Sequence, residues 1–327
     1  LNILFQYPGG KTEKILRKFR KFLKFLKFFS FENEIINILL IKTLKINENV
    51  LYFKLTGGSK MRLKVLIRSD MVPILYRHRV VSLIKNAIKL GSNGSEKFFE
   101  DKRVVRPYCF NLALPTKKTQ KVGKIQIDEN FTVEDIVFYT NKRPIALYVG
   151  SLDKELINAI YKGLKKIKRF NFSSNCNMVV QNRRLVWQIE RIIFINEKPI
   201  ESETAVFKTN SPILIENDEN RPVLFSDETF NHYLNQIMDR ILSSPYLKGR
   251  GLDRPLKFEP VDMKKQVVKH TLKDFRENTG KPVMYLTGST GVFRLSGSKE
   301  DLEIIYKTGI GIRTCQGFGM IELKEQL

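Results

Sequence analysis

Four glycines, Gly309, Gly311, Gly317 and Gly319, stand within eleven residues near the end of the chain, in the stretch Gly309-Ile310-Gly311-Ile312-Arg313-Thr314-Cys315-Gln316-Gly317-Phe318-Gly319. A backbone without Cβ atoms can approach a ligand closely and turn its N–H groups toward an anion. Arg313, inside the stretch, adds a fixed cation whose planar fork suits phosphate. The stretch falls between a short helical pattern and a closing strand pattern. A Walker loop or Rossmann turn would instead open a helix, and the Walker Lys-Ser/Thr pair is missing. The expectation is a phosphate cradle with no nucleotide cofactor, built from Gly309, Gly311, Arg313, Gln316, Gly317 and Gly319.

A second group with chemical potential lies far from the first in sequence. His78, Ser82, Lys85 and Lys89 recur at helical spacing, a polar stripe opposite Ile84, Ala87 and Ile88. His78 and Lys85 are two turns apart, about 10 Å along a helix axis. An ordinary imidazole titrates near pH ~6.5, so both of its forms are at hand near neutrality. The plain alternative is a solvated helix residue between Arg77 and Arg79. Of the other two histidines, His232 and His270, both read as ordinary surface positions. No His, Cys or carboxylate cluster has metal-ligand spacing, so no metal is expected.

The elements that must hold these groups follow from periodicity. Leu63, Val65 and Ile67 alternate with Arg62, Lys64 and Arg68, predicting a strand with one wet face. Pro73 is expected to open a helix over 75–90. Extended segments follow near 106–114, 131–139 and 143–149. A second helix over 152–166 takes Ser151 as its N-cap, and a strand runs through 184–195. That order, βαββαβ, is a ferredoxin-like or RRM-like unit. After a linker at 196–199 come strands near 203–209 and 211–215, a helix at 227–242, and strands at 256–263, 265–275 and 282–295. A helix at 299–307 and a strand at 317–324 close the chain. The fold class is therefore α+β, two tandem ferredoxin-like domains over 61–197 and 198–327, the second carrying the glycine-rich loop.

The chain of 327 residues carries a net charge of +23, which points to nucleic acid or an anionic surface as partner. Residues 1–60 hold 12 Lys and Arg against 4 Asp and Glu, so most of the excess belongs to 61–327. Their Lys, Phe, Ile, Leu and Asn texture is what AT-rich DNA spells when translated, and Gly57-Gly58 stands just before Met61. They read as an upstream extension ahead of the true start. A basic membrane-surface helix and an RNA-binding arm are the alternatives. Elsewhere no apolar run is long enough to span a membrane. Three scattered cysteines, Cys109, Cys176 and Cys315, form no disulfide framework, and the cytoplasm is the expected compartment.

The glycine-rich stretch resembles the loop of the CRISPR-associated RAMP superfamily: Gly-apolar-Gly, five residues with a Lys or Arg, then Gly-apolar-Gly. The likeness extends to Val72-Pro73-Ile74-Leu75-Tyr76-Arg77 leading into Val81–Ile88, to Phe207-Lys208-Thr209-Asn210-Ser211-Pro212, and to Tyr285-Leu286-Thr287-Gly288 with Gly291-Val292-Phe293. Together these span 61–325, and the pattern is most similar to the endoribonucleases that cut repeat transcripts. What the resemblance implies is metal-independent cleavage of CRISPR repeat RNA by attack of its own 2′-OH, leaving a 5′-OH and a 2′,3′-cyclic phosphate. It also implies a catalytic His on or just after the first helix, with Tyr and Lys nearby. The residues matching those roles are His78 for proton transfer, Lys85 for the phosphorane charge and Tyr76 for the ribose. Arg77, Arg79 and Arg106 are the expected further RNA contacts. The family's other usual site, here Phe98–Lys102, holds no histidine, so a non-catalytic RAMP subunit that binds guide RNA is the alternative function. Membership of an effector ribonucleoprotein and a homodimer both stay open.

Overall fold

A computed structural model describes residues 61–92, 105–171 and 179–327. The extension at 1–60, the segment Phe98–Lys102 and Cys176 lie outside the described residues. The first half supplies β1 (Arg62–Arg68), β2 (Met71–Pro73), α1 (Arg77–Gly91), β3 (Tyr108–Ala113), β4 (Thr119–Gln126), β5 (Thr132–Tyr139), β6 (Ile145–Ser151), α2 (Lys154–Lys166), β7 (Arg169–Asn171), β8 (Val179–Val180) and β9 (Val186–Ile195). The second supplies β10 (Thr204–Thr209), α3 (Phe230–Leu242), β11 (Lys257–His270), α4 (Lys273–Thr279), β12 (Met284–Ser296), α5 (Lys299–Thr308), a 3-10 turn (Thr314–Gln316) and β13 (Ile321–Gln326).

One sheet runs β3-β6-β1-β9-β7 and another β11-β12-β10-β13. Leaving aside the short edge strand β7, each has its first strand between its third and fourth, the order of a ferredoxin-like unit. A smaller sheet, β2-β5-β4-β8, is inserted in the first unit. Alternation decides the faces: Leu63, Val65, Ile67, Phe110, Leu147 and Val149 are buried in the first core with α1 and α2, whereas Lys64, Asn111 and Tyr148 lie on the other face. The second core gathers Phe207, Phe230, Leu234, Phe258, Phe293 and Ile305. No helix of the described residues is long and apolar enough to cross a membrane.

Several expected boundaries move, for local reasons. Pro73 ends β2 opposite Val137, where its missing N–H is harmless, and α1 starts later, after Tyr76. The N-cap of α2 is Asp153, whose carboxylate accepts the Leu156 N–H at 2.9 Å; Ser151 instead donates to the Pro107 carbonyl at 2.7 Å. Residues 211–215 form no strand: Ile213 makes one isolated bridge to Ser289. The two strands expected over 256–275 are the single β11, bulged between Pro260 and Asp262, followed by α4. The helix expected at 227 begins at Phe230, and the closing strand expected at 317 begins at Ile321. β4 was not anticipated.

The two sheets are fastened to each other by side chains reaching backbone. Arg62, at the start of β1, donates to the Ile321 carbonyl at 3.1 Å and the Tyr306 carbonyl at 2.8 Å, and pairs with Glu197 at 3.1 Å. At the far end of β11, Lys269 pairs with Asp135 and Arg276 with Asp128. The 3-10 turn of the glycine-rich loop packs against α1 and β3.

Candidate active site

The glycine-rich loop links α5 to β13. All four of its glycines have positive φ: Gly309 at 94°, Gly311 at 81°, Gly317 at 90° and Gly319 at 63°. Space is a second constraint. A Cβ on Gly319 would stand 2.0 Å from the Ile310 carbonyl, and one on Gly311 2.5 Å from that of Leu214. On Gly317 it would meet the Phe110 ring at 2.7 Å, and on Gly309 the Cys109 Cβ at 3.1 Å. The expectation that these glycines clear the way for a ligand is thus corrected: their bare faces are filled by the chain itself. What the loop offers outward is its arc from Ile312 to Gln316, half exposed, with Arg313 in left-handed geometry at φ 60°. Gly317→Val should therefore act first on stability. Forcing an isopropyl group against a buried ring costs about 1–3 kcal/mol, read as a lower denaturant midpoint before any change in ligand binding.

Helix α1 begins beneath this loop. Arg77 lies between the Tyr76 and Phe318 rings, 4.9 and 5.0 Å from their centroids, and its Nε donates to the Gly317 carbonyl at 3.4 Å. Arg79 is fully buried, donating to the Asn171 carbonyl at 3.0 Å beside the Phe170 ring. Tyr76 is buried as well. Expected as RNA contacts or as a ribose guide, these three instead hold the loop and β7 in place. Arg106, the third arginine expected to contact RNA, is half-buried and reaches toward the Cys315 sulfur at 4.0 Å.

His78 departs from the wet stripe predicted for it. Both ring nitrogens are closed off from solvent and have no hydrogen-bond partner among the described residues. Burial pushes its pKa well below the ordinary value, helped by Arg79, His270 and Arg276, with the Leu75 carbonyl pulling weakly the other way. His270, read from sequence as a surface residue, is only 2% exposed and is one of the groups acting on His78. Burial, then Arg77 and Arg313, push its pKa down to about 3. Gln316 stands beside the His270 ring, near enough to favour protonation but not aligned for a proper hydrogen bond. The ring meets Phe318 edge-on at 5.9 Å. One signal for it was in the sequence: His270 follows Val268 by two, on the inward face of a strand. His232 is exposed on α3, as expected.

Lys85, two turns along α1, forms a second pole. Burial and then Arg106 lower its pKa, and Cys315 opposes them. The 3-10 turn thus spans the site, with Gln316 at the histidine end and Cys315 at the lysine end. Chemically, the first end offers neutral imidazole, a proton acceptor, and the second offers cations beside a half-exposed arc. Among the described residues no three His, Cys, Asp or Glu side chains converge to hold a metal ion. A groove of about 500 Å³ runs between the two sheets, lined in part by Asn111, Tyr148, Lys198, Tyr306 and Lys324.

Residues 195–323 match the family described as CRISPR associated protein Cas6, C-terminal. A putative CRISPR-associated endoribonuclease-like protein Cas6 of Pyrococcus furiosus is 26% identical over 195 residues, 56% of this chain and 69% of that protein. The corresponding Cas6nc protein of Pyrococcus horikoshii is 27% identical over 186 residues, 55% of this chain and 69% of its own. Among solved structures, the product of a Cas6-related gene from Pyrococcus furiosus aligns with a TM-score of 0.60 at 22% identity, over 83% of this chain and 100% of that one. Another, described as an RAMP protein binding different RNA substrates, aligns with a TM-score of 0.60 at 22% identity, over 81% of this chain and 100% of that one. At such identity the structural likeness speaks for the fold.

Proposed function

We propose that this chain is a Cas6-like, CRISPR-associated RAMP protein, and that it binds CRISPR repeat RNA and cuts precursor transcripts through the RNA's own 2′-hydroxyl. The oxygen attacks the neighbouring phosphorus, the bond to the 5′-oxygen breaks, and the products carry a 2′,3′-cyclic phosphate and a 5′-OH. Such a reaction wants a base near the 2′-OH, an acid near the leaving oxygen and a cation over the phosphorane. His78 moves the protons, and Lys85 with Arg106 steadies the charge. Tyr76 serves through Arg77, whose guanidinium it packs against, and not on the ribose. Arg313 and Gln316 meet the RNA from the loop, whose glycines shape it. The flanking RNA has a place in the groove between the sheets, where Tyr148 offers a ring and Lys198 and Lys324 offer charge.

The observation that carries the reading is the packing of the loop's 3-10 turn against α1 and β3, which sets Cys315 beside Arg106 and Lys85 and Gln316 beside His270. Cleavage of repeat RNA should persist in excess chelator and yield those end groups. Activity that needs an added divalent ion, or a 3′-OH product, would count against it. One observation favours a second reading, a non-catalytic RAMP subunit holding guide RNA in an effector complex: the His78 nitrogens are shut off from solvent. Absence of cutting with tight binding would select it.

A further inference from the structure

Five buried polar atoms without a hydrogen-bond partner belong to one neighbourhood: His78 Nδ1 and Nε2, His270 Nε2, Arg313 Nε and Gln316 Oε1. The neighbourhood is geometric: the His270 ring packs edge-on against Phe318 of the loop at 5.9 Å, and Arg77, next to His78 on α1, packs over the same ring at 5.0 Å and donates to the Gly317 carbonyl at 3.4 Å, beside Arg313 and Gln316 on that loop. A buried polar group left unpaired costs about 1–3 kcal/mol, so a native fold tolerates few of them. Their concentration at one joint between the two sheets marks a place that a polar ligand completes.

The charges around it define that ligand. Facing the two rings are Arg77 and Arg79 from α1, Arg276 from α4 and Arg313 from the loop. The carboxylates nearby are already engaged: Asp128 by Arg276, and Glu216 at 3.9 Å from Arg313. The net field is positive, so the ligand is an anion. Ring N–H groups and Arg313 Nε are donors suited to phosphate oxygens, and Gln316 Oε1 is an acceptor suited to a hydroxyl. A phosphate with a ribose hydroxyl beside it meets both demands.

We infer that His270, together with His78, Arg313 and Gln316, forms a socket that seats one phosphate of the RNA, which makes His270 a ligand-contacting residue of the site. Arg313 and Gln316, on the half-exposed arc, are the wall that moves aside to admit it. The choice of RNA as the source of the phosphate rests on the function proposed above; the socket itself does not. Seating an anion reverses the effect of the arginines on the rings. In the empty socket burial and four guanidiniums hold both imidazoles neutral, and a bound phosphate favours their protonation. Binding therefore takes up protons, and affinity rises as pH falls, by up to about tenfold per pH unit for each proton taken up.

The three histidines make this measurable in the full chain by NMR of the ring Cε1–H signals. A His232→Asn variant identifies the exposed ring, which serves as internal control, and leaves the other two signals as the pair. Inorganic phosphate is added in one arm and chloride at equal ionic strength in its control. A repeat RNA made uncleavable by one deoxyribose is added in the other. The expected result is that the paired signals shift to higher titration midpoints, by a pH unit or more, with phosphate or RNA and not with chloride. A response to RNA, with or without one to phosphate, makes the RNA backbone the ligand. A response to phosphate alone keeps the socket and removes RNA as its source. If neither ligand moves either ring beyond the chloride control, the inference is wrong. Cutting is read in neither arm, so a protein that cuts without this shift loses the socket and keeps the nuclease, and one that shifts without cutting does the reverse.

Discussion

His78→Ala is expected to slow single-turnover cleavage of repeat RNA by ~10²–10⁴-fold, the usual worth of general acid–base catalysis, while affinity at pH 8 changes far less. At that pH the empty site holds the ring neutral, through burial first and then Arg79, His270 and Arg276. Removing it therefore deletes a proton acceptor and no standing charge. Lys85→Ala should differ in kind. It removes a cation that RNA meets both before and during the reaction, so rate and affinity fall together. The pH profile adds a sign. Because the pKa of the free ring is lowered, the acid limb of kcat/KM, which reports the free protein, should lie below the ordinary histidine range. Wild-type cutting by His78→Ala would move the proton transfer to Lys85, whose pKa is lowered.

Breaking the pair that ties the sheets together should produce the largest loss of stability. Arg62 is 4% exposed, makes two bonds to the backbone of the second unit, packs 4.7 Å from the Tyr306 ring and neutralises Glu197. Removing one partner of a buried ion pair strands the other, at about 3–5 kcal/mol. Arg62→Ala should lower the denaturant midpoint by that equivalent. The double variant Arg62→Met with Glu197→Leu should recover much of it, since no charge is then left buried. Burial already raises the pKa of Glu197. A folded carboxyl with a raised pKa holds more protons than the unfolded one, so its contribution favours the fold below the unfolded pKa and declines as pH rises. The deficit of Arg62→Ala should accordingly shrink as pH falls through the carboxylate range. A deficit unchanged by pH, or a double variant as weak as the single, would show that the lost backbone bonds matter and the charge does not.

Much of this architecture could be read from the sequence, and the reasons are local. The alternation in β1 and the helical spacing of Val80, Ile84, Ala87 and Ile88 are properties of short windows, and so is the βαββαβ order they build. β4 escaped because only Gly123 and Ile125 within it are buried, leaving no clear alternation. The site was legible as residue types and much less as placement. The polar stripe on α1 was visible, but the burial of the His78 nitrogens and the charges acting on them, His270 and Arg276 among them, come from tertiary packing. His270 was missed although Val268, two residues before it in the same predicted strand, shares its inward phase; the Phe318 ring it packs against belongs to the distant loop. The glycines of the loop were recognisable as a motif, but what fills their missing Cβ positions, Phe110, Leu214 and Ile310, is set by tertiary packing.

The central claim is that the RNA supplies its own nucleophile, and a single ribose tests it. Two repeat RNAs, identical except for a 2′-deoxy substitution at the scissile nucleotide, are incubated with the full chain in excess chelator, and the fraction cut is followed by gel. The all-ribose strand should be cut, with a 2′,3′-cyclic phosphate on the upstream fragment, and the substituted strand should bind equally and stay whole. Cleavage of the deoxy strand at the same position would mean that water is the nucleophile, and would contradict the mechanism.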